Sequence, residues 1–448
     1  MNFLKKLVLI SAISSCLSIS AVAATPAEFN STAALAQQGD AQAQSNLGLM
    51  YANGQGVAKN DAQAVSWYRK AADQGNAMAQ HNLGWMYDEG RGVAQDYAQA
   101  LSWYRKAADQ GDASAQNNLG WMYANGQGVA QNDAQAVSWY RKAAEQGDAD
   151  AQNNLGWMYA NGRGVAQDYA QALSWYRKAA DQGDASAQFY LGVMYANGRG
   201  VAQNDVQALS WYRKAAEQGD ADAQFNLGVR YANGRGVAQN DAQALSWYRK
   251  AAEQGYASAQ NNLGWMYANG QGVAQNDAQA VSWYRKAAEQ GDADAQNNLG
   301  WMYANGRGVA QNDVQALSWY RKAAEQGDAD AQFNLGVRYA IGRGVAQNDA
   351  QAVSWYLKAA EQGNASAQNN LGAMYANGRG VTRNTALSNE WYLKAANNGD
   401  TQAQFNIAQN YLDGSNGLPK NKTQGLAWLQ KAANNGHAQA KLVLAGLR

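Results

Sequence analysis

The 448-residue chain has only one cysteine, two histidines and two prolines. A single Cys cannot form an internal disulfide, and two His with one Cys leave no His/Cys set for a zinc site. Excess charge of either sign is also lacking. With 36 Lys+Arg against 35 Asp+Glu the net charge is +1, which argues against a nucleic-acid binder that works through a basic face. Phe is scarce, at 6, but 16 Trp and 25 Tyr argue against wholesale disorder. Beyond the amino-terminal segment no apolar run reaches the ~20 residues of a bilayer span. Glycine is abundant, at 46 residues, and the mean hydropathy is low, at −0.56.

The first 24 residues read MNFLKKLVLISAISSCLSISAVAA. Lys5 and Lys6 precede an apolar stretch, and Ala21-Val22-Ala23 is a small-x-small cleavage pattern, so residues 1–23 are expected to be a signal peptide directing export. Ser14, Ser15, Ser18 and Ser20 interrupt the apolar run and argue against a retained anchor. Ile13-Ser14-Ser15-Cys16 loosely resembles a lipoprotein cleavage box, an alternative that would leave a lipid on Cys16. Cleavage near Ala23 removes two Lys and no acid, leaving a mature chain of charge −1 without cysteine. Such a chain gains nothing from an oxidising compartment.

The remaining sequence is one unit written again and again. Leu-Gly recurs every 36 residues, from Leu47-Gly48 to Leu371-Gly372, and Ile407-Ala408 continues the register. One inserted residue around Gly414–Lys420 then shifts the last match to Leu444-Ala445. This defines eleven units over residues 39–435, a preceding segment 24–38 expected to cap the array, and a closing half-unit 436–448.

The third unit, Gly111 to Gln146, shows the logic. Asp112 is a good N-cap, and Ala115, Leu119 and Tyr123 form a stripe at i, i+4, i+8. Gly126 and Gly128 punctuate the chain, so a first helix ends near Asn125. Asn132 and Gln135 resemble a capping box opening a second helix, whose stripe is Ala136, Trp139, Tyr140 and Ala143. Each unit is therefore a helix–turn–helix with ~13 residues and ~20 Å per helix. Gly120, mid-helix, costs ~1 kcal/mol against Ala. Its repetition points to close approach of the partner helix, with Trp139 expected across the contact. A unit this small cannot bury its stripe alone, so neighbours must stack into an all-α solenoid.

The order A-x-x-L-G-x-x-Y, then G-x-G-V, then A-x-x-W-Y-x-K-A-A-x-x-G resembles the Sel-one-like repeat, a relative of the tetratricopeptide repeat, from about Gly39 to Arg448. The resemblance implies a right-handed superhelical α-solenoid acting as a scaffold or adaptor, often exported by bacteria. Gln409, Asn410 and Leu418-Pro419 depart from the pattern in the last unit, as suits a terminal cap.

Positions that repeat belong to the fold, and positions that vary are free for other work. Three first-helix positions vary most. The third after the opening Gly is Met78, Ser114, Asp150 and equivalents. The sixth is His81, Asn117, Asn153, Phe189, Phe225, Asn261, Asn297, Phe333 or Asn369. The tenth is Trp85, Trp121, Trp157, Val193, Val229, Trp265, Trp301, Val337 or Ala373. Offsets of three and four put them on one face, which by resemblance to tetratricopeptide arrays lines the concave groove. Asn goes with Trp at Asn117/Trp121, Asn153/Trp157, Asn261/Trp265 and Asn297/Trp301, and Phe goes with Val at Phe189/Val193, Phe225/Val229 and Phe333/Val337. Arg230 and Arg338 replace Met three units apart. Asn and Arg can bond a peptide backbone or carboxylate, and Trp offers flat contact area. Size compensation is also what packing between adjacent first helices produces, and both readings stand at this point. The second-helix set (Trp67, Trp103, Trp139 and equivalents) reads as core, and Arg69-Lys70 and its copies as a solvated face.

Sites for chemistry are hard to find. Gly-x-Gly follows a helix and lacks the third Gly and Lys of phosphate loops, so it reads as turn punctuation. His81 and His437 have no Ser or Cys partner at recognisable spacing. Some cysteine-rich relatives carry β-lactamase activity in name. Here Ser138-Trp139-Tyr140-Arg141 puts Arg where Ser-x-x-Lys needs Lys, and Ser-Asp-Asn and Lys-Thr-Gly are absent. The chain is expected to be an exported, periplasmic or secreted scaffold without enzymatic activity, cofactor or metal, that binds a protein or peptide partner. The alternatives are cell-wall glycan stacking on the Trp residues and, less favoured, a β-lactamase-like hydrolase.

Overall fold

The computed structural model describes residues 25–446, so the expected signal peptide (1–23) and Cys16 lie outside the described residues. Among the described residues there are 24 helices and no strand. Pro26–Gln37 comes first. Eleven helix pairs follow, from Ala41–Asn53 with Asp61–Asp73 to Thr401–Asp413 with Lys422–Asn434, and Ala438–Gly446 closes the order. The architecture is an all-α solenoid of helix–turn–helix repeats.

Local chemistry sets each boundary. In the third copy the Asp112 carboxylate accepts from Ala115 N at 2.7 Å, and Gly126 ends the helix Ala113–Asn125 at φ 70°, a left-handed conformation that suits Gly. The Asn132 side chain caps Asp133–Glu145 by accepting from Gln135 N at 3.1 Å, which is the Asn half of the expected box. Between them the chain folds back, with Asn132 N donating to Tyr123 O at 2.8 Å. The Gly-x-Gly loop is more than punctuation. A Cβ on Gly128 would collide with the Tyr97 carbonyl of the preceding copy, so its second Gly is a contact between copies.

The core is built from small residues and one large ring per copy. Ala115, Leu119, Met122, Ala136 and Ala143 are fully buried, and Tyr140 is nearly so. The expected partner of Gly120 was Trp139, but the structure puts Tyr140 there: a Cβ on Gly120 would lie 2.8 Å from Tyr140 Cδ1. Trp139 is half-buried at the rim, packed against the core, with Lys142 Nζ 3.9 Å from its ring centroid. The same Lys-on-Trp stacking recurs in all eleven copies at 3.8–4.7 Å. Only Trp103 and Trp391 of this set are buried. The Arg of Arg-Lys is also engaged: Arg141 donates to Tyr159 Oη of the next copy at 2.9 Å. The solvated face is thus a layer of cation–ring and hydrogen-bond contacts at the edge of the core.

The copies are joined by a polar relay absent from the sequence reading. Gln116, buried in the core, donates to Ala108 O of the preceding copy at 3.0 Å and accepts from Gln146 Nε2 at 2.8 Å. Gln80 with Gln110, Gln152 with Gln182 and Gln296 with Gln326 repeat the arrangement. Each bond from a first-helix Gln gives a second donor to a last-turn carbonyl of the preceding second helix, which also accepts from the turn after it, as Ala108 O does from Gly111 N at 3.0 Å.

The chain packs as two compact parts, one running to Ala223 with Arg235–Val237, the other comprising Gln224–Gly234 and everything from Ala238. Each has its own core of this kind, around Leu119 and Tyr140 in the first and around Leu299 and Tyr320 in the second.

Candidate functional site: the varied face of the first helices

The sixth, tenth and eleventh positions of the first helices have different surroundings. The sixth is occupied by packing. Asn117 is buried, and its Oδ1 accepts from Asn154 Nδ2 of the next copy at 3.0 Å. Asn261 and Asn297 accept likewise from Asn298 and Asn334, both at 3.0 Å. The position that would answer Asn153 in this ladder holds Tyr190, whose ring stacks 5.0 Å from Tyr176, and the Asn153 Oδ1 is buried without a partner. In the Phe copies a ring contact takes the place of the amide ladder. Phe189 lies 5.8 Å from Tyr212, Phe225 5.8 Å from Tyr248, and Phe333 6.0 Å from Tyr356. His81 takes the same place 5.7 Å from Tyr104, with Asn118 Nδ2 3.2 Å from its Nε2. Burial lowers the His81 pKa against the opposing pull of Asp112. The exchange of Asn for Phe is therefore a choice between two ways of filling one space between helices.

The tenth position is different. Trp85, Trp121 and Trp157 are half-buried, whereas Trp265 and Trp301 are 46% and 42% exposed. Three of these rings are flanked by a loop guanidinium: Arg91 lies 4.7 Å from Trp85, Arg163 5.3 Å from Trp157, and Arg307 5.2 Å from Trp301. Each of those Arg also makes a two-point ion pair with the Asp that begins the preceding second helix, as Arg163 does with Asp133 at 2.6 and 3.0 Å. That pair holds the Asp133 carboxyl below its ordinary range.

Arg230 and Arg338 correct the expectation of a ligand-facing pair. Both are buried, and Arg338 Nη1 bonds Asp313 Oδ1 at 2.7 Å with its guanidinium 5.7 Å from the Tyr320 ring. Their side chains are committed to the fold, because the Met they replace occupies the helix face turned to the second helix.

Titratable groups outside these positions cluster at the starts of the first helices. Asp148, Asp184 and Asp220 each cap a helix, and each is raised to about 6, chiefly by burial and then by neighbouring acids such as Asp150 and Asp222. In the second copy Asp88 stands where most copies have Ala. It accepts from Tyr104 Oη at 3.3 Å and is raised to about 6 by burial and by Glu89. Among the described residues no group of His, Cys, Asp and Glu is arranged to hold a metal ion. No helix there is long and apolar enough to cross a membrane.

The model of the Sel1 repeat matches eleven consecutive segments from residue 41 to residue 437. A protective antigen present in uropathogenic Escherichia coli strains, displaying an SLR fold, is 41% identical with a TM-score of 0.82, covering 92% of this chain and 88% of that chain. A Sel1 repeat protein from Oxalobacter formigenes is 36% identical with a TM-score of 0.54, covering 68% of this chain and 89% of that chain. No curated protein matches significantly.

Proposed function

Because the chain belongs to the Sel1 repeat family, we propose that it is an exported, non-catalytic scaffold that binds a protein or peptide partner through the first-helix tryptophans Trp85, Trp121, Trp157, Trp265 and Trp301. The observation that carries this reading is the exposure of Trp265 and Trp301, 46% and 42%, one copy apart on a rigidly packed frame. An indole buries 150–250 Å² when covered, so leaving nearly half outside forgoes on the order of 2 kcal/mol per ring. A partner that covers both recovers it. Large aromatic rings held on rigid helices are what interface anchors are made of. Asn117, Asn261, Asn297, Phe189, Phe225 and Phe333 set the spacing of this face from beneath. Export rests on the pattern of residues 1–23, and the name of the 41% identical relative, a protective antigen, agrees with an exposed location.

The test is recovery of envelope or host proteins on the immobilised mature chain. Trp265→Ala with Trp301→Ala should abolish capture of the partner while circular dichroism stays unchanged, since both rings are exposed. Unchanged capture would remove the face from the reading. Peptidoglycan fragments that quench tryptophan fluorescence and displace the partner would replace it with glycan binding.

A further inference from the structure

The largest departure from the repeat lies between the tenth and eleventh copies. Asn389 stands where the nine preceding copies have Val or Leu, and Asn410 where they have Met or Arg. Both are buried, at 5% and 6% exposure. They form a closed amide network with the loop: Asn389 Nδ2 donates to Asn416 O at 2.7 Å, Asn410 Nδ2 to Asn389 Oδ1 at 3.0 Å, and Asn416 Nδ2 to Asn410 Oδ1 at 2.9 Å. A core of Val and Met would bury the same surface without any need for exact partners, so a satisfied amide network here buys rigidity and polarity at a defined place.

That place is part of a cavity of about 480 Å³. Asn410 and Asn416 line it together with Asn377, Asn406, Gln409 and the buried Tyr392. Gln409 stands where other copies carry Leu, Trp, Val or Ala, so a polar side chain replaces an apolar one there. Arg383 lies at its edge, where copies two to nine have Gln. No acidic side chain lines it. Arg383 and Gln409 are exposed, and among the described residues neither they nor the Tyr392 hydroxyl has a hydrogen-bond or ion-pair partner in the protein, so a cation and two polar groups lining the space are open to a ligand. Tyr392 is itself more than nine-tenths buried.

We propose that this cavity binds the free carboxylate end of a peptide. The Arg383 guanidinium receives the carboxylate, and the Gln409 amide, with the second N–H of Asn377, Asn406 and Asn416 that their bonds within the protein leave over, matches the backbone amides behind it. The volume is suited to two or three residues. The site is independent of the tryptophan face and does not rest on it.

The probes are a panel of N-acetylated tripeptides Ac-Ala-Ala-Xaa, with Xaa each of the common residues, titrated calorimetrically into the full mature chain. The same peptides as carboxamides, and glucuronate, are the comparison arms. At least one free acid should bind with a Kd in the millimolar range or below, and its carboxamide at least about tenfold more weakly. Arg383→Gln restores the residue of the other copies and should reduce affinity about tenfold with an unchanged unfolding midpoint, since Arg383 is exposed and unpaired. Gln409→Trp fills the opening with a residue that other copies tolerate and should abolish binding. Equal binding of acid and carboxamide, an unaffected Arg383→Gln variant, or no heat from any peptide overturns the proposal. Glucuronate binding as tightly as the best peptide also overturns it, by showing a site for small acidic sugars.

Discussion

The third copy and the eleventh solve the same packing problem with different residues. In the third, Gly120 lies under the Tyr140 ring. In the eleventh the two positions hold Ala408 and Leu429, both fully buried. A methyl is added on one helix and a flat ring gives way to a narrower branched chain on the other. A second exchange accompanies it. Ala124 and Ala136 of the third copy become Leu412 and Gly425, and a Cβ on Gly425 would lie 2.6 Å from Leu412 Cγ. A third is electrostatic: Arg163 and Asp133, an ion pair in the repeat, correspond to Ser415 and Thr385 at the end of the array. Facing positions therefore change together: where one side chain grows, the one opposite it shrinks.

The sharpest way to break this comparison is to mix the two solutions. Gly120→Ala alone sets a methyl against a buried ring and should cost ~1–3 kcal/mol, despite the ~1 kcal/mol that Ala gains over Gly in a helix. Adding Tyr140→Leu, which reproduces the eleventh copy, should make the double variant lose less than the sum of the singles. Denaturant unfolding, with hydrogen exchange to localise the effect to Ala113–Glu145, measures this. Additive losses would show that the two positions are not a coupled pair.

A second difference is acidity. Asp148, Asp150, Asp184, Asp220 and Asp222 crowd the helix starts of the fourth to sixth copies, whereas the eleventh has Gln402 at the position of Asp150. The folded pKa values of Asp148, Asp184 and Asp220, about 6, lie above the unfolded value of ~3.9. The folded chain thus holds protons that the unfolded chain releases. Their contribution is fully present below pH ~3.9 and is lost as pH rises through about 6. Thermal stability of the first part should rise between pH 7.5 and 5.5, by on the order of 1 kcal/mol per site. Asp184→Asn should flatten that dependence, and a profile unchanged by the substitution would count against burial as its cause.

The smallest effect belongs to the ion pair. Arg163→Ser, the eleventh copy's residue, removes the two bonds to Asp133 and one to Ala124 O at 3.1 Å. The pair is about 30% exposed, so the loss should stay below ~1 kcal/mol and shrink further in high salt. A larger, salt-independent loss would mean that the arginine holds the loop by packing on Trp157 instead.

Much of this was legible from residues alone. The 36-residue period, the caps at Asp112 and Asn132 and the stops at Asn125 and Gly126 follow from backbone preferences that act within one turn. The pairing of Asn with Trp and of Phe with Val was visible too, as a compensation whose cause was open. The side of each residue was harder. Trp139 and Tyr140 are adjacent and both lie near the apolar stripe, so periodicity cannot say which ring meets Gly120. The crossing of the two helices decides for Tyr140 and leaves Trp139 under Lys142. Arg230 and Arg338 read as ligand-facing because Arg is a charged residue at a variable position, yet they are buried, and Asp313 answers Arg338. The glutamine relay had a signal, Ala-Gln in every copy, but a polar residue in a helix carries no mark of which distant carbonyl it will meet.

The sequence by itself determined the unit, its number and its helices, because repetition amplifies short-range preferences eleven times over. The tertiary structure alone decided which faces meet, and so which Asn ladder between copies, which Trp remain open at Trp265 and Trp301, and where a cavity forms beside Asn410. Those outcomes depend on the shape and orientation of a facing helix, which no local pattern encodes.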